Sequence, residues 1–329
     1  MLTKISAVFS QSRDFFCALV CLYNSAAIKP KPDQMQTIAL PADVRSSVRQ
    51  QRRNGKQIGV VPTMGALHQG HVSLIEAAAQ QCDFVVTTIF VNPTQFGPNE
   101  DFNKYPRTLE QDFAKCKAAG ADLVFLPEVD VMYPPGCQTC VTMSGLTDVL
   151  EGAHRPGHFD GVTTVVAKLL HITEPDKAFF GQKDYQQQLV IRQMVEDLNW
   201  GLEIVTCPTV REPDGLAMSS RNRYLSASER STALHISAAL NQANAESKDN
   251  KATPANVQES MIKQLTKVDG LKLDYAVIVN SKTLQCLSDD TSTNSTGFES
   301  AVALIAAKVG TTRLIDNQIL AFRSHNQTR

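Results

Sequence analysis

The sequence predicts an α/β protein: a doubly wound parallel, Rossmann-like sheet with a smaller α+β unit at its C-terminal end. Three observations support this prediction. Strand-like and helix-like segments alternate between residues 57 and 207, a pattern typical of parallel sheets with helices on both faces. Residues 83–91 form a nearly continuous apolar, β-branched run, as expected of a central strand covered on both faces. The segment Val60–His71 reads as a strand that breaks into a glycine-containing turn and then a helix.

The alternation begins with a basic helix predicted over residues 42–53 and a strand over 57–62. In the next helix, residues 71–82, Leu74, Ile75 and Ala78 have helical spacing. After the apolar strand, further helices are predicted at 109–119, 161–172 and 186–198, and further strands at 123–126, 177–180 and 202–207. Because ligands bind beyond the carboxyl ends of parallel strands, we expect the residues that follow these strands to share one site.

A domain boundary is predicted near Pro208, where two prolines and a turn follow the last strand of the parallel sheet. The chain then divides into a first domain, residues 35–208, and a C-terminal domain, residues 209–329. The elements predicted in the C-terminal domain are helices over 226–245 and 257–268, strands over 273–279, 301–309 and 311–315, and a mobile loop over 289–297.

Residues 1–34 fit neither domain. Their apolar run, residues 15–22, follows Lys4 and Arg13 and loosely resembles the core of a signal peptide. The run is too short to span a bilayer, and only residues 24–27 offer a loose cleavage-like site. We therefore predict a poorly ordered extension, or translation from an upstream start, rather than an export signal.

Charge and cysteine usage exclude several classes of protein. The 329 residues include 32 basic and 33 acidic side chains, a net charge of −1, so we expect neither nucleic acid nor a membrane as partner. The eight cysteines are dispersed, unlike the framework of a small secreted domain. The one Cys-x-x-Cys pair, Cys137 and Cys140, lacks the further ligands that zinc needs. We expect a reduced, cytoplasmic protein without a resident metal site.

Two imidazoles, His68 and His71, lie three residues apart at the start of the second predicted helix. A helix N-terminus offers free backbone N–H groups and the positive end of the helix dipole to an anion. Gly70, between the two imidazoles, lets a ligand approach the backbone closely. The motif therefore predicts a phosphate site for a nucleoside triphosphate; the alternative is two residues that only cap or pack the helix start.

A second motif, Met218-Ser219-Ser220-Arg221, lies beyond the predicted domain boundary. Two hydroxyl groups and a guanidinium group suit the oxygens of a triphosphate, which arginine can bind with two parallel hydrogen bonds. Such a tetrapeptide is common in surface loops and means little alone. Together with the upstream His-x-Gly-His, it predicts that both domains contact the same nucleotide.

These two motifs resemble the HIGH and KMSKS signatures of the nucleotidyltransferase superfamily. Further blocks bring the resemblance to the pantothenate synthetase (pantoate–β-alanine ligase) family. The resembling blocks are residues 61–68, 89–97, 105–108, 179–187, 218–225 and 309–317, within a stretch from about Met35 to about Leu320.

The resemblance implies an ATP-dependent condensation of (R)-pantoate with β-alanine through a pantoyl-adenylate, with release of AMP and pyrophosphate. It implies that residues 35–208 bind the nucleotide and pantoate, that residues 209–329 act as a lid, and that the protein is a homodimer. It also implies Mg²⁺ on the phosphate oxygens, with Asp184 and Asp112 as candidate partners.

The same resemblance assigns roles to individual residues. It implies that His71, His68, Lys183 and Arg221 are catalytic. Pantoate would be bound by Gln95 and Gln187, with Asn92 as a weaker candidate. The residues expected to contact ATP are Met64, Gly65, Ala66, Leu67, His68, Gln69, Gly70, His71, Gly181, Gln182, Lys183, Asp184, Val210, Met218, Ser219, Ser220 and Arg221.

Gln182 departs from the family's Gly-Glu-Lys-Asp motif, which often has glutamate at this position. Because the neighbouring Lys183 is intact, we expect the activity to survive.

Three other interpretations compete with the ligase. A nucleotidyltransferase acting on a phosphate ester or on nicotinamide mononucleotide would need a basic acceptor pocket, and Gln95 and Gln187 argue against one. A tRNA synthetase would need a basic RNA-facing patch, which this near-neutral chain does not suggest. A non-catalytic nucleotide-binding module would bind ATP without turnover, and the intact His68, His71 and Lys183 argue against it.

Overall fold

The computed structural model describes residues 35–98, 100–287 and 300–322. The N-terminal extension predicted over residues 1–34 and the loop predicted over 289–297 lie outside these ranges. The described chain forms a six-stranded parallel sheet followed by a three-stranded antiparallel sheet. The doubly wound sheet and the smaller α+β unit predicted from the sequence are therefore both present. None of the described helices combines the length and apolar character needed to cross a bilayer.

The first part of the chain contains six strands and the helices between them. In chain order these are β1 (Gln36–Ile38), α1 (Pro41–Arg53), β2 (Ile58–Thr63), α2 (Gln69–Gln81), β3 (Phe84–Ile89), α3 (Leu109–Ala119), β4 (Leu123–Phe125), α4 (Val129–Met132), α5 (Glu151–His154), α6 (His158–Thr173), β5 (Lys177–Gly181), α7 (Tyr185–Asp197) and β6 (Glu203–Cys207). The strand order across the sheet is β1-β4-β3-β2-β5-β6.

Strand β2 determines where the site lies. It pairs in parallel with β3 on one side and with β5 on the other, so the direction of winding reverses beside it. In an open parallel sheet, a crevice forms at the carboxyl ends of the strands where the winding reverses. The residues that follow β2 and β5 therefore lie next to each other at this edge.

Apolar residues cover both faces of the parallel sheet, as its continuous hydrophobic strands predict. In β2, Ile58 and Val60 belong to a core formed with α1, α6 and α7, whereas Val61 belongs to a second core formed with α2 and α3. All six residues of β3 are buried. The two cores hold the strand ends in place and leave the crevice at their carboxyl edge free for polar residues.

The second part of the chain packs two helices on an antiparallel sheet. Its elements are α8 (Ala227–Glu246), α9 (Pro254–Leu265), β7 (Leu271–Asn280), β8 (Ser300–Val309) and β9 (Thr312–Ala321), with strand order β7-β8-β9. Ser226 begins α8 by accepting a hydrogen bond from the backbone N–H of Glu229, whose carboxylate accepts one from the backbone N–H of Ser226. Such a reciprocal cap is a strong start signal for a helix.

The structure differs from the sequence predictions at several element ends. Strand β1 has only three residues and pairs with β4, so its sequence carries too little periodicity to reveal it. Helix α6 begins at His158 rather than at residue 161, and β9 extends to Ala321, six residues beyond its predicted end.

Candidate active site

The turn after β2 is shaped by a buried carboxylate. Gly65 and Ala66 adopt positive φ angles of 78° and 50°, and the backbone N–H groups of Ala66 and Leu67 donate to Asp112 at 2.9 and 2.8 Å. The Thr108 hydroxyl donates to the same carboxylate, which is only 1% exposed. Asp112 is therefore occupied in holding the turn, and its role as a Mg²⁺ partner stays a prediction.

The two imidazoles of the turn form a cap on helix α2. His68 Nδ1 accepts a hydrogen bond from the backbone N–H of Gly70 at 3.2 Å, and His71 Nδ1 accepts one from the backbone N–H of His68 at 3.3 Å. A nitrogen that accepts from an N–H carries no proton of its own. In each neutral ring the proton is therefore on Nε2, which is left free to donate to a ligand.

Both imidazoles are held in the neutral form. Burial, with the charge of Lys183 as a smaller cause, lowers the pKa of His68 to about 4. Burial, followed by the neighbouring His68, lowers the pKa of His71 to about 3. The two rings lie 4.1 Å apart between centroids, so a positive charge on one disfavours a charge on the other. At neutral pH the pair supplies two uncharged Nε2–H donors.

A cation faces these donors from the end of β5. The loop between β5 and α7 carries Lys183 and Asp184, which line the same cavity as His68 and His71. The Lys183 ammonium lies 3.9 Å from the nearest Asp184 oxygen, and the Asp184 side chain is 51% exposed. This loop therefore brings a cation and a solvent-facing carboxylate to the edge where the imidazoles lie.

An amide cluster follows β3. The Asn92 side chain, in a residue 1% exposed, donates to Gln95 Oε1 and to the Gly161 carbonyl, both at 3.1 Å, and accepts from the Tyr133 hydroxyl at 2.9 Å. Gln95 Nε2 in turn lies 3.4 Å from Met64 Sδ. The polar atoms of Asn92 are thus engaged by the protein, and they orient Gln95 toward the cavity.

A third histidine, His158, supports this cluster from α6. Its Nδ1 lies 2.8 Å from the Gln95 backbone carbonyl, which can only accept, so the proton is on Nδ1. Its Nε2 then accepts from Arg155 Nη1 at 2.9 Å. Burial and the Arg155 charge lower the pKa of His158 to about 4. Arg155 itself forms two hydrogen bonds with Glu100, at 2.7 and 2.6 Å.

The serine–arginine motif closes the opposite side of the cavity. Residues Ser220–Tyr224 form a 3₁₀ turn that begins when Ser219 Oγ accepts from the backbone N–H of Arg221. The Arg221 guanidinium pairs with Asp101 at 2.8 and 3.1 Å, and the Ser220 hydroxyl lies 3.4 Å from the Tyr105 hydroxyl. Residues on either side of the predicted domain boundary thus meet at this wall.

One cavity of about 220 Å³ collects most of the residues singled out in the sequence. Those that line it are Met64, His68, Gly70, His71, Asn92, Gln95, Gly181, Lys183, Asp184, Gln187, Val210, Met218, Ser219, Ser220 and Arg221. The predicted ATP contacts that do not line it are Gly65, Ala66, Leu67, Gln69 and Gln182. The N–H groups of Ala66 and Leu67 point to Asp112, and Gln182 faces the C-terminal sheet.

Within the described residues, no group of three histidine, cysteine or acidic side chains is placed to hold a metal ion. Cys137 and Cys140 are exposed, and Cys140 Sγ contacts the Thr164 hydroxyl.

Comparisons with known proteins match the chain to one family. Residues 36–319 match the profile of the pantoate-beta-alanine ligase family. A pantothenate synthetase of Moorella thermoacetica is 52% identical over 287 residues, which make up 87% of this chain and 98% of that one.

The chain belongs to the pantoate–β-alanine ligase family.

Solved structures of the family share the fold. A pantothenate synthetase from Thermus thermophilus aligns with a TM-score of 0.80 at 44% identity, covering 86% of this chain and 99% of that one. A pantoate-beta-alanine ligase from Francisella tularensis, complexed with beta-gamma ATP and beta-alanine, aligns with a TM-score of 0.69 at 35% identity, covering 87% and 98%. The family resemblance and the fold class inferred from the sequence are therefore confirmed.

Sequence reasoning missed several residues that shape the cavity. Tyr105 stood in a family-like block, yet nothing in the sequence marked its contact with Ser220. Asp101 and Glu100 gave no signal at all, because their partners are 120 and 55 residues away. Gly161 lies against the Gln95 turn, and only its position at a predicted helix start could have drawn attention to it.

Proposed function

We propose that this protein condenses (R)-pantoate with β-alanine, using ATP and releasing AMP and pyrophosphate through a pantoyl-adenylate. The observation that carries the proposal is the convergence of donors in one cavity. Two neutral imidazoles, Lys183 and Arg221 face the space beyond β2 and β5, and the amides of Gln95 and Gln187 line the same cavity. Donors for a triphosphate and amides for a small hydroxy acid are thus within reach of each other.

In the first step, the pantoate carboxylate attacks the α-phosphorus of ATP. Negative charge then grows on the α-phosphate oxygens and on the departing pyrophosphate, and catalysis consists mainly of positioning and electrostatic stabilisation. The Nε2–H groups of His68 and His71 donate to these oxygens without carrying a charge. Lys183 and Arg221 supply the positive charge. With pKa values near 4 and 3, the imidazoles act as hydrogen-bond donors rather than as proton donors in the free enzyme.

Pantoate is assigned to the end of the cavity near Gln95 and Gln187. A primary amide offers one acceptor and two donors, which suits the hydroxyl groups and carboxylate of pantoate. Asn92 would act on pantoate through Gln95 rather than by direct contact, because its amide is hydrogen-bonded to Gln95 Oε1 and to the Gly161 carbonyl. We therefore propose that Asn92 orients Gln95 for pantoate.

In the second step, the neutral amine of β-alanine attacks the acyl carbon of the adenylate, and AMP leaves. Water must be kept away from the adenylate meanwhile, since its hydrolysis would waste ATP. Residues 35–208 are proposed as the domain that binds nucleotide and pantoate, and residues 209–329 as the lid that carries Ser219, Ser220 and Arg221 over it.

The finer properties implied by the resemblance are part of the same proposal. Mg²⁺ would enter with ATP as part of the substrate, and the half-exposed carboxylate of Asp184 is the described acidic group in the cavity that is free to face it. We further propose a cytoplasmic homodimer. Size-exclusion chromatography with light scattering tests the dimer directly.

The decisive experiment measures AMP formation from ATP and (R)-pantoate, with and without β-alanine. We expect AMP release that depends on β-alanine and that falls at least about a hundredfold in His71→Ala, the range seen when a transition-state donor is removed. His171→Ala is the matched control, because His171 is exposed on α6 and does not line the cavity.

Two results would overturn the proposal. If AMP release ignores β-alanine, an adenylyl transfer to another acceptor explains the site better. If ATP binds and AMP never forms, the protein is a nucleotide-binding module.

A further inference from the structure

Two side chains of strand β9 contact residues of the first part of the chain. Residues two and four apart on a strand share a face, so Arg313 and Asn317 point the same way. Arg313 pairs with Glu151, and Asn317 contacts the loop between β5 and α7. Asn317 is 2% exposed, so its amide is committed to this contact.

The Asn317 amide makes three hydrogen bonds to two consecutive residues. Its Nδ2 donates to the backbone carbonyls of Gln182 and Lys183, both at 2.9 Å. Its Oδ1 accepts from Gln182 Nε2 at 3.2 Å. Carbonyl oxygens can only accept, so the orientation of the amide is settled by its partners.

These bonds fix the backbone on both sides of Lys183. The Gln182 carbonyl belongs to the peptide before the Lys183 Cα, and the Lys183 carbonyl belongs to the peptide after it. Each residue has only two soft backbone dihedrals, and holding both flanking peptide planes restrains both of them. Asn317, on the C-terminal sheet, thereby restrains the direction in which the Lys183 side chain leaves the backbone.

The loop has few other restraints. Strand β5 ends at Gly181 and helix α7 begins at Tyr185, and Asp184 makes no side-chain capping bond at the start of α7. The other backbone hydrogen bonds lie at its two ends: the Gln182 N–H donates to the Cys207 carbonyl at 2.8 Å, and the Asp184 carbonyl accepts from the Gln188 N–H at 3.0 Å. Among the described residues, the ionic partner of the Lys183 ammonium is Asp184 at a long 3.9 Å, so the ammonium does not hold the loop itself.

We propose that Asn317 is a positioning residue for Lys183: it holds the two peptides that flank the lysine and so aims the ammonium group at the phosphates. The inference rests on the proposed role of Lys183 toward ATP. It assigns a task to the C-terminal block 309–317, which the sequence resemblance singled out and the reaction steps leave unused.

The Gln182 side chain belongs to the same hydrogen-bond network as Asn317. Because Asn317 Nδ2 faces the two carbonyls, Asn317 Oδ1 must face the side chain at position 182, and only a donor is favourable there. The glutamine amide supplies that donor, whereas an ionised glutamate would place an acceptor against an acceptor. The uncharged residue at position 182 therefore suits the amide network of this chain.

The test compares ATP binding, by calorimetry, in the full-length protein with Asn317→Asp and Asn317→Ser. Aspartate keeps the shape, loses both N–H donors and sets a carboxylate against two carbonyls; serine keeps one donor. Loss of two hydrogen bonds corresponds to about a tenfold or larger rise in the ATP Kd for Asn317→Asp, with a smaller rise for Asn317→Ser. Gln318→Glu is the matched control, because within the described part of the chain that neighbouring amide has one side-chain hydrogen bond, to the Ile319 carbonyl in an exposed position.

A double-mutant cycle separates positioning from general damage. If Asn317 acts through Lys183, then Asn317→Asp in a Lys183→Ala background should change the ATP Kd less than about twofold, because the group being aimed is gone. The inference would be overturned if Asn317→Asp raised the ATP Kd by the same factor in both backgrounds. It would also be overturned if neither substitution of Asn317 changed the ATP Kd in the wild-type background. Asn317→Ser carries the cycle if Asn317→Asp fails to fold.

The cycle also distinguishes this inference from the proposed function. If Lys183→Ala alone binds ATP as wild type does, the assignment of Lys183 to the phosphates is wrong, and the inference is overturned with it. If wild type binds ATP but shows no β-alanine-dependent AMP release, the ligase proposal fails while the Asn317 coupling to Lys183 is still measured.

Discussion

The chemistry of His68 and His71 is decided by backbone groups at the start of α2. Each imidazole accepts a main-chain N–H at Nδ1, so each neutral ring presents Nε2–H to the cavity. His158 is held the other way round, with its proton on Nδ1 toward the Gln95 carbonyl. Burial lowers the pKa of all three below the ordinary value of 6.5. The cavity thus contains two Nε2–H tautomers, His68 and His71, and one Nδ1–H tautomer, His158, and the hydrogen-bond partner of each ring decides which it is.

We predict that nitrogen NMR of the ligand-free protein shows His68 and His71 as Nε2–H tautomers and His158 as the Nδ1–H tautomer, all neutral at about pH 6. Their folded pKa values, about 4, 3 and 4, lie below the unfolded value near 6.5. Between those values the unfolded chain binds more protons, so these groups should make stability fall as pH is lowered from about 6.5 toward 4. An imidazolium signal from His68 or His71 at that pH would contradict this account.

Sequence patterns could predict the imidazole pair but not its tautomers. The His-x-Gly-His spacing placed both rings at a helix start, because the turn glycine and the strand before it are local signals. Which nitrogen accepts depends on the φ and ψ angles of the turn, and these are fixed by Asp112 from 46 residues away. The roles of the individual site residues stay predictions until they are tested by substitution.

At the scale of secondary-structure elements, helix α6 sets the position of the turn that carries Gln95, whose amide is proposed to bind pantoate. Gly161 packs against the turn Pro93–Gln95 so closely that a methyl group there would collide with the Thr94 carbonyl and lie 2.6 Å from the Gln95 nitrogen. The Gly161 carbonyl also accepts from Asn92 Nδ2 at 3.1 Å. The missing side chain of Gly161 therefore lets α6 and the Gln95 turn touch.

We predict that Gly161→Ala raises the KM for pantoate at least about tenfold while changing the ATP Kd less than about threefold. Alanine favours the helix by up to about 1 kcal/mol, but the collision pushes the Gln95 turn away from α6, which costs more in a close-packed contact. Steady-state kinetics in pantoate and calorimetry with ATP measure the two effects. Gly201→Ala is the control, since a methyl group at Gly201 meets nothing within 4 Å; equal losses for both ligands in Gly161→Ala would show general unfolding instead.

The elements were predicted from the sequence to different degrees. The apolar run at residues 83–91 and the helix at 109–119 were identified because a buried strand and an amphipathic helix leave clear local patterns. Strand β1 was missed, because three residues have no measurable period and its partner β4 lies more than 80 residues away. Helix α6 begins earlier than predicted, directly after Gly157, which has a φ of 78° and whose carbonyl accepts the first helical hydrogen bond from the Gly161 N–H.

At the scale of the whole molecule, a buried ionic cluster joins the antiparallel sheet to helix α5 in the first part of the chain. Arg313 on β9 donates to Glu151 on α5 at 2.6 and 2.8 Å and to Asp274 on β7 at 2.8 Å. The Tyr275 hydroxyl donates to Glu151 at 2.7 Å. Burial alone would raise the pKa of Glu151, but the hydrogen bonds and charge of Arg313 outweigh burial and hold it below the usual value. No sequence pattern could pair residues 162 positions apart.

We predict that Arg313→Met lowers the free energy of unfolding by about 3 kcal/mol at pH 8, because it leaves the buried Glu151 carboxylate without its charged partner. Arg230→Met is the matched control: Arg230 also pairs with two carboxylates, Glu212 and Asp214, but at the surface, so its loss should stay within about 1 kcal/mol. Without Arg313, burial raises the Glu151 pKa, the folded variant binds a proton that the unfolded chain releases, and the deficit should shrink as pH falls from about 8 to 5. Urea unfolding at both pH values measures this, and a deficit that is the same at both would show that an unpaired Glu151 carboxylate is not the cause of the loss.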